Sequence, residues 1–158
     1  MLFPIYGIVA LGLILSAGYF LKAYYSRAPL PKAQLEIKDH TLNVEIADNI
    51  ATRMKGLSGR DGLAENSGLY FSFPLRARHG FWMKDMKFGI DMIWVDGHTV
   101  RGVTENVQPE PGKSMLQLTV YYPPSEINKV LEVPAGTAAR LGITAGDQIK
   151  LSFPQSTK

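Results

Sequence analysis

The sequence contains no cysteine among its 158 residues. This absence excludes disulfide bridges, thiolate zinc sites, iron–sulfur clusters and thiol nucleophiles, and it leaves the redox environment open. Histidine is scarce as well: His40, His79 and His98 form no HxH or HxxxH pair of the kind that holds zinc. We therefore expect no metal site and no cofactor.

An excess of charge of one sign is also missing from most of the chain. The formal net charge is +3 and the sequence pI is about 9.1, but Lys22, Arg27 and Lys32 precede residue 33 without any acidic residue among them. From residue 33 onward 14 basic residues stand against 14 acidic ones. A basic face of the kind that binds DNA or RNA is therefore not indicated, and we expect no nucleic-acid partner.

The long hydrophobic run lies at the N-terminus. The 20 residues from Leu2 to Leu21 carry no charge, and a helix of that length spans roughly 30 Å, the thickness of the hydrocarbon core of a bilayer. We interpret residues 1–22 as an uncleaved single-pass transmembrane anchor. A cleaved signal peptide is the alternative, but no positive n-region precedes the run and the candidate cleavage sites fit poorly.

The orientation of this anchor is contested by two signals. Lys22, Arg27 and Lys32 all follow the run, and the positive-inside rule taken alone places them, with the domain, in the cytoplasm. The family resemblance given below points to the opposite side, and we adopt an extracytoplasmic domain at the membrane. Residues 23–33, with Pro29 and Pro31, are predicted to form a short, fairly stiff linker.

The rest of the chain has the period of two that is typical of strands. Residues 34–154 are predicted to form a single β domain, followed by a tail over residues 155–158. Asp96-Gly97 is the strongest hairpin signal, and segments such as Leu116–Tyr122 are predicted to be further strands. Many short strands without long alternating helices indicate an antiparallel β-sandwich or a partly closed barrel with short helices.

Basic and aromatic residues form the candidate ligand site. Trp82 and Lys84 share one side of an extended stretch and offer an aromatic platform beside a cation. Arg53 and Arg60, spaced as RxxGLxxR, add guanidinium groups that match carboxylates and phosphates. The structural alternative is that Trp82 fills the core and that the arginines bind loop carbonyls or the carboxylates of Asp91 and Glu132.

The catalytic signals are weaker. Asp91 lies in an otherwise apolar strand, so its burial would demand a partner, for which an arginine is the natural candidate. No G-x-S-x-G elbow, serine triad or phosphate-binding glycine loop is present in the sequence. The enzyme alternative is a hydrolase or transferase that acts on cell-envelope material, with Asp91 or Asp85 as acid or base and the arginines steadying negative charge.

Several motifs, in order, resemble those of the bacterial and archaeal family called domain of unknown function 192. They are Arg53-x-x-Gly56-Leu57-x-x-Arg60, Gly68-Leu69-Tyr70-Phe71-x-Phe73, Phe81-Trp82-Met83-Lys84, Ile90-Asp91-Met92-Ile93-Trp94-Val95-Asp96, Val130-Leu131-Glu132-Val133-Pro134-Ala135-Gly136 and Gly146-Asp147. The resemblance covers roughly residues 35–153. The family usually continues Asn-Thr after Phe-Trp-Met-Lys, whereas Asp85 and Met86 stand here, and a carboxylate beside Lys84 could neutralise it.

The resemblance implies a mostly β domain behind an N-terminal hydrophobic segment, and it implies no established reaction. We therefore expect a membrane-tethered, extracytoplasmic domain that binds an anionic or carbohydrate-like ligand, or an envelope protein, without catalysis. The predicted ligand-binding residues are Arg53, Arg60, Trp82, Lys84 and Asp91. A structural accessory of a membrane complex is a third possibility, and an exposed apolar patch near the linker would indicate it.

Overall fold

The computed structural model describes residues 29–154 of the chain. The predicted anchor over residues 1–22, most of the linker and the tail over residues 155–158 lie outside the described residues. Within residues 29–154 no helix is both long enough and apolar enough to cross a membrane.

Short strands dominate the described residues, joined by two short α-helices and one 3-10 turn. The strands are β1 Lys32–Ile37, β2 His40–Ala47, β3 Ser67–Ala77, β4 Ile90–Asp96, β5 Thr99–Val107, β6 Ile127–Pro134 and β7 Ile149–Ser152. The helices are α1 Ile50–Lys55 and α2 Thr137–Leu141, and the 3-10 turn is Met115–Gln117.

All seven strands belong to one curled sheet, in the order β5-β4-β6-β3-β2-β1-β7. Neighbours are antiparallel except β2 and β3, which pair in parallel. The two edges approach each other: the Val100 amide donates to the Asp147 carbonyl, and the Ile149 amide donates to the His98 carbonyl, both at 2.8 Å. The partly closed barrel is therefore confirmed. The sandwich alternative is wrong, because a sandwich needs two facing sheets.

Two hydrophobic cores cover the two faces of the sheet. The α2-side core contains Ile93 and Val95 together with residues of β1, β2 and α2. The loop-side core contains Met92 and Trp94 together with Leu57 and residues of β3 and β6. Because successive side chains point to opposite faces, β4 is buried on both sides, and the sheet carries loops packed against its outer surface.

The segment Leu116–Tyr122 does not form the predicted strand. Its beginning is the 3-10 turn, Leu116 is 98% exposed, and a single bridge joins Tyr121 to Phe81. The Glu110 carboxylate accepts hydrogen bonds from the backbone amide and the hydroxyl of Thr119, each at 2.9 Å. The Glu110 side chain thus accepts from a backbone amide that would otherwise bond to a neighbouring strand. The alternating apolar residues of this segment therefore do not pair into the sheet.

Candidate functional site

A cavity of about 240 Å³ opens between α1, the loop after it and the loop that joins β3 to β4. Its base is the loop-side face of the sheet. We call it the aromatic pocket, because aromatic and sulfur-containing side chains are prominent in its wall: Phe71, Phe73, Phe81, Trp82, Met54 and Met86.

Local hydrogen bonds set the position of α1 at the pocket. The Asn49 side chain caps the helix by accepting from the Thr52 amide at 3.0 Å, and the Thr52 hydroxyl accepts from the Asn49 amide at 3.2 Å. This is a reciprocal capping box, in which each side chain accepts from the backbone amide of the other residue. Gly56, with φ of 50°, ends the helix and turns the chain back toward the sheet.

Phe81 connects the wall of the pocket to the core. Its ring makes edge-to-face contacts with Phe71 at 5.0 Å and with Trp94 at 5.6 Å between centroids. Such contacts stabilise each pair by about 0.5–1.5 kcal/mol beyond burial. Trp82, the next residue, remains 37% exposed at the pocket. The core-filling alternative for Trp82 is thus not what the structure shows, whereas the other tryptophan, Trp94, is fully buried.

Arg53 and His79 both lie against the ring of Phe73. The Arg53 guanidinium carbon is 5.2 Å from the ring centroid, and the His79 imidazole stacks on the ring with centroids 3.8 Å apart. One guanidinium nitrogen of Arg53 donates to the carbonyls of Asp48 at 2.6 Å and Ser72 at 2.7 Å. These bonds fix Arg53 as a wall of the pocket, with a positive charge beside aromatic surface.

A buried carboxyl lies at the base of the pocket. Glu132, on β6, is paired in register with Leu69 on β3 and Met92 on β4, and its side chain lines the pocket although only 5% of the residue is exposed. No hydrogen bond or ion pair from residues 29–154 reaches its carboxyl oxygens. Buried polar groups nearly always have a partner, and no side-chain oxygen or nitrogen among the described residues is both sealed from solvent and unbonded. A partner for this carboxyl would therefore come from the open space of the pocket.

The environment of Glu132 keeps its side chain neutral. Burial raises the pKa of this carboxyl from 4.5 to about 8, and the positive charge of Arg60 acts in the opposite direction. Burial disfavours the charged form because a low-dielectric surrounding replaces water. Near neutral pH the base of the pocket therefore presents a carboxylic acid, which carries one O–H donor as well as acceptor oxygens.

Glu132 was expected only as a partner for arginines, and its place in the pocket was not predicted. The signal available in the sequence was a glutamate within the apolar run Val130–Val133, whose other side chains are all buried. Asp91 has the same signal in β4, and the two carboxylates prove to have different roles. Which strand face opens on a cavity depends on loops distant in sequence, and no local pattern reports it.

The structure does not bring Arg60 and Lys84 to the aromatic pocket. Arg60 forms an ion pair with Glu45 and lines a second cavity, of about 540 Å³, beside β1 and β2. The Lys84 ammonium donates to the Asp85 carboxylate at 2.6 Å and lines a third cavity. Neutralisation of Lys84 by Asp85, expected from the departure from the family pattern, is thus present in the structure.

Asp91 is fully buried and holds backbone rather than an arginine. One carboxylate oxygen accepts from the Asn106 amide at 2.7 Å and the other from the Ala138 amide at 2.8 Å. Ala138 is the second residue of α2, which begins after Gly136 without a capping side chain of its own. Asp91 supplies that cap from a distant strand.

The family model of DUF192, described as an uncharacterized ACR, matches residues 33–151, three quarters of the chain. The chain belongs to the DUF192 family. The resemblance seen in the motifs is thereby confirmed. No curated protein matches this chain.

Two solved structures are similar to this DUF192 domain. A crystal structure of a candidate transcription regulator from Sinorhizobium meliloti 1021 has 27% sequence identity and a TM-score of 0.72, and the match covers 79% of this chain and 97% of that one. A protein of unknown function from Novosphingobium aromaticivorans DSM 12444 has 26% identity and a TM-score of 0.69, covering 78% and 92%.

The motifs that carry the DUF192 resemblance converge on the aromatic pocket. Five of the six motifs contribute lining residues: Arg53 and Gly56, then Phe71 and Phe73, then Phe81 and Trp82, then Ile90, and finally Glu132. Of the predicted ligand residues, Arg53 and Trp82 meet there, whereas Arg60, Lys84 and Asp91 are elsewhere. Residues from separate DUF192 motifs therefore line one concave surface, the aromatic pocket.

Proposed function

We propose that this DUF192 domain is a non-catalytic binding module that takes an anionic or carbohydrate-like ligand, or such a group on an envelope partner, in the aromatic pocket. The observation that carries the proposal is the half-exposed indole of Trp82 at a cavity that also contains the Arg53 guanidinium. Aromatic faces suit the apolar faces of sugar rings, and a guanidinium suits an acidic substituent. A volume of about 240 Å³ equals about eight waters, the size of one ring.

The arrangement of carboxylates favours binding over hydrolysis. Glu132 is the single acidic residue among the described residues that line the pocket. Most glycoside hydrolases need two carboxyl groups flanking one bond, about 5–10 Å apart. Asp91 is engaged by two amides inside the fold, and Asp85 is paired with Lys84 at another cavity, so neither supports the enzyme alternative.

We further propose that the domain is held at the extracytoplasmic face of a membrane by residues 1–22. The chain enters the fold through Leu30, which packs against the loop-side core, the core that also underlies the pocket. The stretch from Lys22 to Ala28 reaches at most about 25 Å when extended, so the domain would stay close to the bilayer. Fusion of reporter enzymes to the C-terminus tests this: activity of a reporter that works only in the cytoplasm would contradict it.

The description of the Sinorhizobium neighbour does not transfer readily to this chain. Binding of DNA requires a basic face, whereas this domain is balanced in charge and many of its cations are paired. Asp96 binds Arg76 and Arg101, and Lys87 binds Asp61. We therefore retain a small ligand or an envelope group as the partner.

Trp82→Ala is expected to lower the affinity for a pocket ligand at least tenfold, because the indole is its exposed aromatic face. The free energy of unfolding should fall by less than about 2 kcal/mol, since Trp82 is not a core residue. Thermal shift and calorimetric titration with D-glucuronate, N-acetylglucosamine, N-acetylmuramate and citrate provide the measurement.

Tyr122→Ala is the matched control, since Tyr122 is an exposed aromatic residue outside the pocket lining. It should bind like wild type. The proposal fails if none of these compounds binds, or if Trp82→Ala and Tyr122→Ala bind equally well.

A further inference from the structure

We propose that the protonated Glu132 side chain is the polar anchor of the aromatic pocket and donates a hydrogen bond to an oxygen acceptor of the ligand, such as a hydroxyl, carbonyl or carboxylate group. This inference rests on the proposed binding function, and it specifies which chemical group of the ligand lies at the base of the pocket. It also assigns a binding role to Glu132, which is not among the ligand-binding residues predicted from the sequence.

The geometric basis is an unpartnered polar group aimed into a cavity. Glu132 is 95% buried, judged from its 5% exposure, and lines the pocket. Its carboxyl has no partner within residues 29–154, and no side-chain oxygen or nitrogen in this part of the chain is both sealed from solvent and unbonded. The carboxyl oxygens must therefore reach the open space of the pocket, where a ligand can bond to them.

The charges around the pocket decide between an oxygen acceptor and a cationic ligand. Register partners Leu69 and Met92 are apolar, so strands β3 and β4 contribute no charge. The charged or titratable groups that face the pocket are Arg53 and Lys55 from α1 and His79 from the loop after β3, with Arg60 acting from the loop after α1. Positive groups at the walls repel an ammonium ligand and favour an electron-rich one.

The protonation state agrees with this choice. A carboxyl whose pKa is raised to about 8 is mostly protonated at pH 7, and its O–H is a donor to the ligand oxygen. A cationic ligand would instead require ionised Glu132. The two ligand classes therefore predict opposite pH dependence: binding of an oxygen acceptor weakens as the pH rises above 8, and binding of an amine strengthens.

The test uses the full chain in phospholipid nanodiscs, with D-glucuronate as the anionic probe and methyl β-D-glucoside as the neutral one. Affinity is followed by tryptophan fluorescence, since Trp82 lies at the pocket. Between pH 7 and 9.5 wild-type affinity should fall about 30-fold, the ratio of protonated fractions for a pKa near 8. Glu132→Gln keeps a donor and should bind with little pH dependence, whereas Glu132→Leu should bind at least tenfold more weakly at pH 7.

Tyr122→Ala, outside the pocket lining, is the control and should retain the wild-type pH profile. Infrared spectra give a second readout: wild type at pH 7 should show the C=O band of a protonated carboxyl that Glu132→Gln lacks, and the probe should shift it to lower frequency. If Glu132→Leu binds as tightly as wild type, or if affinity rises with pH, the role of Glu132 is refuted and the pocket proposal survives. If neither probe binds wild type, the binding function is itself contradicted.

Discussion

The free energy of unfolding is expected to fall by roughly 1.4 kcal/mol for each unit by which the pH rises between about 5 and 8. The cause is Glu132, whose pKa is about 8 in the folded protein against 4.5 for the exposed group. Inside this window the folded state holds a proton that the unfolded state has released, so rising pH favours unfolding. The contribution is complete below pH 4.5 and is lost as the pH passes 8.

The other groups with clear shifts act outside that window. Hydrogen bonds to Lys87, Lys113 and Thr144 lower the pKa values of Asp61, Glu110 and Asp147, respectively. Each of these carboxylates adds stability that disappears only as the pH falls below its ordinary value near 4. Stability should therefore peak at mildly acidic pH rather than near neutrality.

Denaturant titrations of wild type, Glu132→Gln and Glu132→Leu across this pH range measure the effect. Both variants remove the titrating group and should have nearly flat profiles. Glu132→Leu should also be more stable than wild type at pH 8 by about 1–3 kcal/mol, because it removes a largely buried carboxyl that is partly ionised at that pH. An equal slope in wild type and Glu132→Gln would show that another group is responsible.

Replacement of Asp91 by alanine is expected to cost about 3–5 kcal/mol, a large share of the stability of an ordinary domain. The change leaves the amides of Asn106 and Ala138 without an acceptor inside the fold. Asn106 has a φ of 53°, a conformation that needs support in a residue other than glycine. Loss of the carboxylate therefore loosens the irregular part of β5 and the start of α2 together.

Asp91→Asn should cost less, since one acceptor oxygen remains while an amino group faces a backbone N–H. Asp96→Ala is the matched control on the same strand: its carboxylate pairs with Arg76 and Arg101 near the surface, and such pairs contribute about 0–1 kcal/mol. Chemical denaturation gives the free energies, and amide exchange at Asn106 and Ala138 localises the loss. A cost of Asp91→Ala no larger than that of Asp96→Ala would rule out the bridging role.

Much of the fold was predictable where its causes are local. The β4–β5 hairpin turns at Gly97-His98, next to the Asp96-Gly97 pair that the sequence indicated. The strands that alternate apolar and polar residues were also found, because the two faces of a strand have different surroundings. The parallel pairing of β2 with β3 and the irregular course of residues 115–122 were not predicted, since both depend on contacts between distant segments.

The residues of the candidate site were likewise predictable only in part. Arg53 and Trp82 were found because a guanidinium matches anionic groups and an indole offers an aromatic face, two chemical properties that can be read from the residue type alone. Arg60 and Lys84 have the same chemical character, but Glu45 and Asp85 engage them at other cavities. Glu132 was missed because a lone glutamate in an apolar strand has no local pattern that distinguishes a pocket base from a structural pair.

Residue order was enough to establish a balanced, cysteine-free β domain of the DUF192 family with a long apolar N-terminal run, because composition, period and motif spacing are properties of the chain alone. Three-dimensional packing decided the roles of its two buried carboxylates. Asp91 accepts hydrogen bonds from two backbone amides and stabilises the fold, whereas Glu132 lies at the base of the aromatic pocket and stays neutral. The physical reason is that burial and hydrogen-bond partners come from segments far apart in sequence, and these set both the charge and the function of an acid.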